Sequence, residues 1–362
     1  MSDEEDPPSL ALVRTLTRPE LTAALAARQF LIERQRLAPA EAIRRLTPLQ
    51  AQHPPAPYVA LAARLDAFER GDLEAAIDVG EVAKSSLLRL TLHLAATTEL
   101  GAYARMTRQA RMRQWRRNHP HLDEAEVAEE LTAWFHRPRT NDEIRERVGQ
   151  YDGVDPRPSA PIAFARILLP LVQLPPAGHW KEIRRPQFVV DPRPLPSPAE
   201  AAELVLTRYL TVFGPASRKD LAAWSLVPQR DFAGASARLP IVSYRDEKGT
   251  ELLDLPGLPL PPASIRLPPR FLARWDQALL AHADRDRIIP PDLQPLKLTL
   301  SGDQTLTVNG LVAASWKMDG PRLVITPHTD IPRSARAAIR EEGLRTARFC
   351  APESDRHDVV GI

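Results

Sequence analysis

The sequence predicts an α+β protein with three tandem winged-helix domains followed by a C-terminal β-rich domain. Helices followed by a short strand or hairpin recur three times, and past residue 263 the pattern changes to strands with Asn-Gly and Asp-Gly turns. A chain of 362 residues has room for several such modules. The predicted divisions are a disordered acidic tail at 1–16, winged-helix domains at 17–120, 121–195 and 196–262, and the β-rich domain at 263–362.

In the first domain, Thr17 opens the first of three predicted helices. The first helix covers 17–33, the second begins near Pro39, and the third runs from Tyr58 to Gly71. Residues 86–95 then alternate leucine with polar residues, which predicts one strand with a buried face and a polar face that carries Arg89 and His93. The arginine-rich segment 97–117 returns to helical spacing.

The second and third domains repeat this order without close sequence identity. In the second, the predicted helices cover 123–136, 140–148 and 162–169, and a hairpin with a PPAG turn follows. The tip and return strand of this wing carry His179, Lys181, Arg184 and Arg185. In the third, we predict a helix at 198–212, a helix-turn-helix pair over 215–239, and two short strands over 241–255. A final helix, 333–349, follows the C-terminal strands.

The composition is typical of a globular protein of the cytoplasm. Hydrophobic residues make up 43% and charged residues 26% of the chain, and no apolar run approaches the ~20 residues of a membrane span. The N-terminus lacks a basic segment followed by an apolar one, so we expect no secretory signal. Cys350 is the only cysteine, which excludes an internal disulfide and a thiolate-rich zinc site.

Positive charge is concentrated in one segment, although the whole chain carries only +2. Residues 84–117 contain eight basic side chains and one acid, Glu99, so the segment carries +7. Such clustering predicts a face that contacts nucleic-acid phosphates. The alternative is a solvated helix face, and the excess of arginine over lysine also agrees with a GC-rich genome.

Several stretches, spread in order over roughly residues 20–350, together resemble the AlkZ/YcaQ-type bacterial DNA glycosylases. They are TPLQAQHPPAPYVALAARL, LLRLTLHL, RYLTVFGPASRKDLAAWS, FLARWDQALLAHADRDRIIP and TVNGLVAASW. The resemblance implies three winged-helix domains before a β-barrel-like domain, and release of N7-alkylated purines, with unhooking of interstrand crosslinks by some members. The catalytic Gln-x-Gln motif of that family maps onto Gln50 and Gln52. Leu90 stands where we expect a glycine in many members.

Two glutamines suit this chemistry because the departing base is already cationic. An N7-alkylated purine leaves as a neutral base, so the enzyme needs no strong acid and must only position a water and stabilise the positive charge that builds on the sugar. Pro54 biases His53 towards an extended conformation, and an extended segment puts the amides of Gln50 and Gln52 on one side. The alternative is a solvated glutamine pair in a proline-rich loop.

A set of basic side chains completes the predicted site. The residues that we expect to contact DNA are Arg89, His93, Arg105, Arg108, Arg111, His179, Lys181, Arg184, Arg185, His282 and Arg285. His282 lies in a compact charged group with Asp284 and Asp286. For this group we favour a structural or DNA-backbone role over acid–base catalysis, because its acids can pair with neighbouring arginines. His119 and His121 lack partners at ligand spacing, so no metal site is predicted.

Two functions remain open at this stage. The first is a monofunctional DNA glycosylase that hydrolyses the N-glycosidic bond of cationic N7-alkylated purines, or of interstrand crosslinks, in double-stranded DNA, with neither metal nor cofactor. No lysine near the motif indicates Schiff-base chemistry. The alternative is a winged-helix regulator or architectural protein without catalysis. No dimerisation helix is visible, so we expect a monomer.

Overall fold

The computed structural model describes residues 12–155, 157–181, 185–296 and 302–362. It has the mixed α+β architecture that the sequence predicts, with sheets of six, five and three strands. Helices and strands alternate along the whole chain, and the sheets combine strands that are distant in sequence.

The first part of the described chain, residues 12–118, contains four strands and five α-helices. They are β1 (Leu12–Leu16), α1 (Arg18–Arg28), α2 (Pro39–Leu46), β2 (Leu49–Gln50), α3 (Ala56–Ala62), α4 (Arg70–Asp78), β3 (Val82–Ser86), β4 (Leu92–Ala96) and α5 (Thr97–Asn118). The predicted disordered tail at 1–16 is wrong for residues 12–16, which form β1. The predicted third helix ends at Ala62, not Gly71, and the separate helix α4 begins after Glu69, whose side chain forms a capping box with Asp72.

The largest correction concerns residues 86–95, which are not one strand. β3 and β4 pair antiparallel, and the loop between them contains a short 3-10 turn at Leu88–Leu90. Arg89 and Leu90 both have φ 56°, in the left-handed region. The loop therefore interrupts the strand. For this reason the alternation of leucine and polar residues does not show whether His93 faces the core or the solvent. Leu90, where a glycine is expected, adopts a backbone conformation that favours glycine.

The next part of the chain, residues 124–190, follows the predicted order. Its elements are α6 (Glu124–Trp134), β5 (Arg139–Thr140), α7 (Asn141–Val148), α8 (Ala160–Leu168), β6 (Leu171–Gln173) and β7 (Gln187–Val190). Thr140 and Glu143 form the capping box that opens α7. β6 and β7 pair antiparallel, so the predicted hairpin is present, but β7 begins only at Gln187, and Lys181 and Arg185 precede the return strand instead of lying on it. The six-stranded sheet has the order β2-β4-β3-β6-β7-β5, so this hairpin continues the β3–β4 hairpin in one sheet.

Residues 198–254 form the helix-turn-helix pair and hairpin expected there. The elements are α9 (Pro198–Phe213), α10 (Arg218–Ser225), a 3-10 turn (Gln229–Phe232), α11 (Ala233–Arg238), β8 (Val242–Asp246) and β9 (Glu251–Asp254). β1 pairs parallel with β8, in the three-stranded order β1-β8-β9. The start of the described chain thus joins the sheet of residues more than two hundred positions later.

The C-terminal part of the chain is rich in strands. Its elements are β10 (Arg270–Leu272), α12 (Gln277–Leu280), a 3-10 turn (Pro291–Leu296), β11 (Gln304–Val308), β12 (Leu311–Asp319), β13 (Arg322–Pro327), α13 (Arg333–Cys350) and β14 (Asp358–Val360). Asn309 and Gly310 form the predicted two-residue turn, both with positive φ. The next turn lies at Gly320 and Pro321, one residue later than predicted. The five described strands form an open sheet in the order β10 to β14, so a closed barrel is not confirmed.

Two buried ion pairs connect the N-terminal helices to distant parts of the chain. Arg28 donates two hydrogen bonds of 2.8 Å to Asp254 of β9, and Arg64 donates bonds of 2.7 and 2.8 Å to Asp276, with all four side chains almost fully buried. Gln29 accepts a further bond from Arg64. Buried charges persist only with such complete pairing, so these contacts fix the relative positions of the segments that they join.

Candidate active site and nucleic-acid interface

Gln50 lies on β2, an edge strand of the six-stranded sheet, and Gln52 lies two residues further along, just past the end of that strand. β2 pairs antiparallel with β4, and the Ala51 N–H continues the pairing with a 2.7 Å hydrogen bond to the Leu92 carbonyl. Leu49 and Ala51 are buried, whereas Gln50 is half-buried and Gln52 is exposed. The backbone is thus extended through Ala51, as predicted, whereas Gln52 and His53 lie in the bend that follows.

The carbonyl oxygens of both amides are held by donors from the β3–β4 loop and from β4. Arg89 Nη2 donates to Gln50 Oε1 at 3.1 Å, and the Leu92 N–H donates to Gln52 Oε1 at 3.3 Å. Because these partners are donors, each must face the oxygen of its amide rather than the nitrogen. An amide oxygen has two lone pairs, so each carbonyl retains one with which to accept a hydrogen bond from water.

Arg89 connects this pair to the helix-turn-helix of residues 218–238. Its Nη1 donates to the Trp224 carbonyl at 2.6 Å, while Nη2 donates to Gln50. Burial, with the nearby positive charge of Arg285, lowers the pKa of Arg89 to about 10, so the guanidinium remains charged at neutral pH. The sequence placed Arg89 on a DNA-contacting strand face, whereas the structure places it in a loop where it orients a candidate catalytic side chain.

His93 is buried, which corrects the expected exposed position. It is 1% exposed, and its Nδ1 donates to the Thr91 carbonyl at 2.8 Å. Burial and the charge of Arg89 lower the pKa of His93 to about 3, so the ring is neutral at physiological pH. In this structure His93 therefore cannot reach a phosphate. His53, next to the glutamine pair, is half-buried, and burial together with Arg274 lowers its pKa.

His282 is also internal, contrary to its predicted contact with DNA. It is 2% exposed, its Nε2 donates to the Phe213 carbonyl at 2.9 Å, and burial and Arg287 lower its pKa to about 3. The neighbouring acids pair with Lys248 of the β8–β9 turn, whose Nζ lies 2.6 Å from both Asp284 and Asp286. These acids were expected to pair with arginines beside them in sequence, and the structure adds a lysine from another hairpin.

The wing between β6 and β7 is only partly available for contacts with DNA. His179 Nε2 donates to Asp78 of α4 at 2.9 Å, so this predicted contact residue is engaged within the protein. Lys181 and Arg185 are exposed. Arg184 lies outside the described residues.

The basic helix α5 is partly neutralised by acids that come from elsewhere in the chain. Glu124 accepts from Arg108 at 3.3 Å and from Arg116 at 2.8 Å, and Asp231 accepts from Arg113 at 2.7 Å. A count of charge within the segment could not detect this, because both acids lie beyond its end. The +7 of the segment therefore overstates the charge that is free to contact DNA.

Two other arginines of α5 were expected to contact DNA. Arg105 Nε donates to the Pro196 carbonyl at 2.9 Å, a bond that leaves the charge unpaired. Arg111 is half-buried and has no hydrogen bond or ion pair with any other residue that the structure describes.

Within the described ranges, no group of three or more His, Cys, Asp or Glu side chains could hold a metal ion. No described helix has the length and apolar character to cross a membrane.

The comparisons with known proteins define the class. The model of the family "DNA glycosylase AlkZ-like" matches residues 43–349, so the chain belongs to this family of DNA glycosylases, as its sequence motifs indicate. The chain is 26% identical to the interstrand DNA cross-link repair glycosylase of Streptomyces sahachiroi, over 89% of this chain and 93% of that protein. The solved structure of Streptomyces sahachiroi DNA glycosylase AlkZ superimposes with a TM-score of 0.79 over 96% of this chain and 99% of that chain, at 21% identity, which shows a shared fold.

Proposed function

We propose that this DNA glycosylase hydrolyses the N-glycosidic bond of cationic N7-alkylated purines in duplex DNA, with the attacking water held between Gln50 and Gln52. The observation that supports this most directly is the anchoring of both amide oxygens, that of Gln50 by Arg89 and that of Gln52 by the Leu92 N–H. The name of the Streptomyces relative, an interstrand DNA cross-link repair glycosylase, adds interstrand crosslinks as a second substrate class, and we propose that these are joined through N7 of the purine.

The proposed reaction needs no strong acid. As the bond between C1′ and N9 breaks, its electron pair moves to the cationic purine, which leaves as a neutral base. The water oxygen bonds to C1′, and the water loses one proton, which passes to solvent. The two amide carbonyls accept hydrogen bonds from this water and present their dipoles to the cationic sugar. His93 is buried and neutral, so it is not the proton donor in this scheme.

A duplex that contains 7-methylguanine tests the proposal. The protein should release free 7-methylguanine and leave an abasic site, measured by chromatography of the released base under single-turnover conditions. The alternative function is a DNA-binding protein without catalysis, and it predicts binding of the same duplex with no free base. A duplex crosslinked between two guanine N7 atoms, analysed on a denaturing gel, tests the second substrate class.

The glutamine pair is tested by substitution. Gln50→Ala and Gln52→Ala should each lower base release ~10²-fold, about 2.7 kcal/mol, because each removes one preorganised contact of the transition state. The double variant should lose less than the product of the single losses, because both amides act on one water. Gln52→Asp should keep partial activity, because a carboxylate still accepts from water.

Two controls accompany these variants. Circular dichroism must show that each variant is folded, and duplex affinity should stay near that of the wild type. Wild-type rates in both alanine variants, on a duplex that the parent protein processes, would exclude a catalytic role for the pair.

A further inference from the structure

A small polar cavity lies where α5, β3 and α8 meet. Arg108, Arg111 and Arg166 line it together with the hydroxyl-bearing residues Ser86 and Thr107. Its volume of about 10 Å³ has room for one water-sized group. Three arginines line this small space, and Glu124 pairs with only one of them, Arg108, so the cavity has a positive potential.

Several donors at this cavity have no partner in the part of the chain that the structure describes. Thr107 is 6% exposed, and its Oγ1, the Ser86 Oγ and the Arg108 Nε are buried without a hydrogen bond. Arg111 and Arg166 have no acidic partner among those residues, and Arg166 lies over the Phe188 ring at 5.2 Å. Unpaired buried donors cost free energy, so their convergence indicates a ligand that accepts hydrogen bonds.

The electrostatics of Arg166 agree with this interpretation. Burial lowers the pKa of Arg166 to about 10, and none of the acids that the structure describes offsets the cost of its buried charge. Arg108 also has a pKa lowered by burial, although Glu124 partly compensates it. A bound anion would supply the compensation that the protein itself lacks.

We propose that this cavity binds one phosphate oxygen of the DNA backbone, with the rest of the phosphodiester in the adjoining cleft. That cleft, of about 560 Å³, shares Leu90, Arg111 and Ile167 with the cavity. Guanidinium groups and hydroxyls match the acceptors of a phosphate, and arginine binds phosphate through paired N–H donors. The assignment of this phosphate to the DNA backbone rests on the proposed function.

The position of the cavity gives this phosphate a role beyond affinity. Leu90, which lines both spaces, directly follows Arg89, the residue that donates to Gln50. A phosphate held here is thus fixed in register with the glutamine pair. The cavity would set which nucleotide lies at the active site, since phosphate contacts fix the register of a protein on a duplex.

The first test removes one charge from the cavity. Arg166→Met keeps the aliphatic stem and should weaken binding to an undamaged duplex about tenfold and reduce the slope of log affinity against log salt by about one. Arg336→Met, on the exposed surface of α13, is the matched control and should change neither quantity. If Arg166→Met fails to fold, Thr107→Val removes a cavity hydroxyl with little change of shape.

The second test locates the phosphate. Each backbone phosphate of the duplex is replaced in turn by a neutral methylphosphonate, and affinities are compared between wild type and Arg166→Met. We expect one phosphate position at which the methylphosphonate weakens binding by the wild type but does not weaken binding by Arg166→Met any further. Thr107→Val should reduce the penalty at that same position. If every methylphosphonate costs both variants as much as the wild type, the proposal is wrong.

Inorganic phosphate distinguishes the two sources of the anion. If it raises the melting temperature of the wild type through Arg166 while the variant binds DNA normally, the cavity binds a free oxyanion and the DNA proposal is overturned. These measurements do not depend on base release. A coupled phosphate position without release of 7-methylguanine would therefore refute the proposed substrate and retain the cavity as a phosphate site.

Discussion

Arg89→Met should uncouple the orientation of Gln50 from the loop that holds it. The variant loses the 3.1 Å bond to Gln50 Oε1 and the 2.6 Å bond to the Trp224 carbonyl. A hydrogen bond from a charged donor contributes about 1.5–3 kcal/mol. If about 1.4–2.7 kcal/mol of this fixes the amide in the transition state, base release should fall roughly 10- to 100-fold. The lost bond to the Trp224 carbonyl should lower stability without affecting the amide.

The assay is single-turnover release of 7-methylguanine with enzyme in excess over the DNA and above its dissociation constant, so that a change in affinity does not enter. A merely structural role is separated by a double-mutant cycle with Gln50→Ala. Once the amide is absent, Arg89→Met should have little further effect on release. If the two losses multiply, or if Arg89→Met alone leaves the rate unchanged, Arg89 does not position Gln50.

Two further predictions concern stability. Asp276→Asn should lower the free energy of unfolding by about 3–5 kcal/mol, because it leaves the Arg64 guanidinium buried without its counter-charge; a change below 1 kcal/mol in denaturant unfolding would contradict this. The pKa of buried His93 and His282 is about 3 in the folded protein against an ordinary value of 6.5, so the unfolded chain binds protons that the folded chain does not. Stability should therefore fall as pH decreases from 6.5 towards 3, by up to about 1.4 kcal/mol per pH unit for each histidine. His282→Gln should reduce that slope, and an unchanged slope would show that His282 is already protonated in the folded state.

Local sequence signals predicted most of the elements. The capping box of Thr140 and Glu143 and the Asn309–Gly310 turn are formed within a few residues, so their geometry depends on side chains that are adjacent in sequence. The extended conformation at Leu49–Gln50 was predicted from Pro54, and the structure shows it in a strand that pairs with β4. The motifs that identify the family are likewise short stretches of adjacent residues, so they are visible in the sequence alone.

The environment of individual side chains could not be read in the same way. The alternation of leucines through residues 86–95 includes a loop with two left-handed residues, which places His93 inside the protein. Glu124 and Asp231 neutralise arginines of α5, and Lys248 reaches Asp284, through contacts that only the tertiary fold creates. Sequence spacing shows which residues share a face of a regular helix or strand. It does not show where a loop interrupts that element, or which distant side chain pairs with a given residue.

The continuous sheet of β2, β4, β3, β6, β7 and β5 has a mechanical consequence. Because it spans both hairpins, and because Arg28 and Arg64 hold two further segments through buried ion pairs, we expect these parts to move as one body. If these parts do move as one body, the duplex rather than the protein would change shape on binding. Smooth bending of a 20–30 base-pair site costs about 1–6 kcal/mol, and steps that unstack easily cost less. Local stiffness of the DNA would then guide the search for damage before any base is inspected.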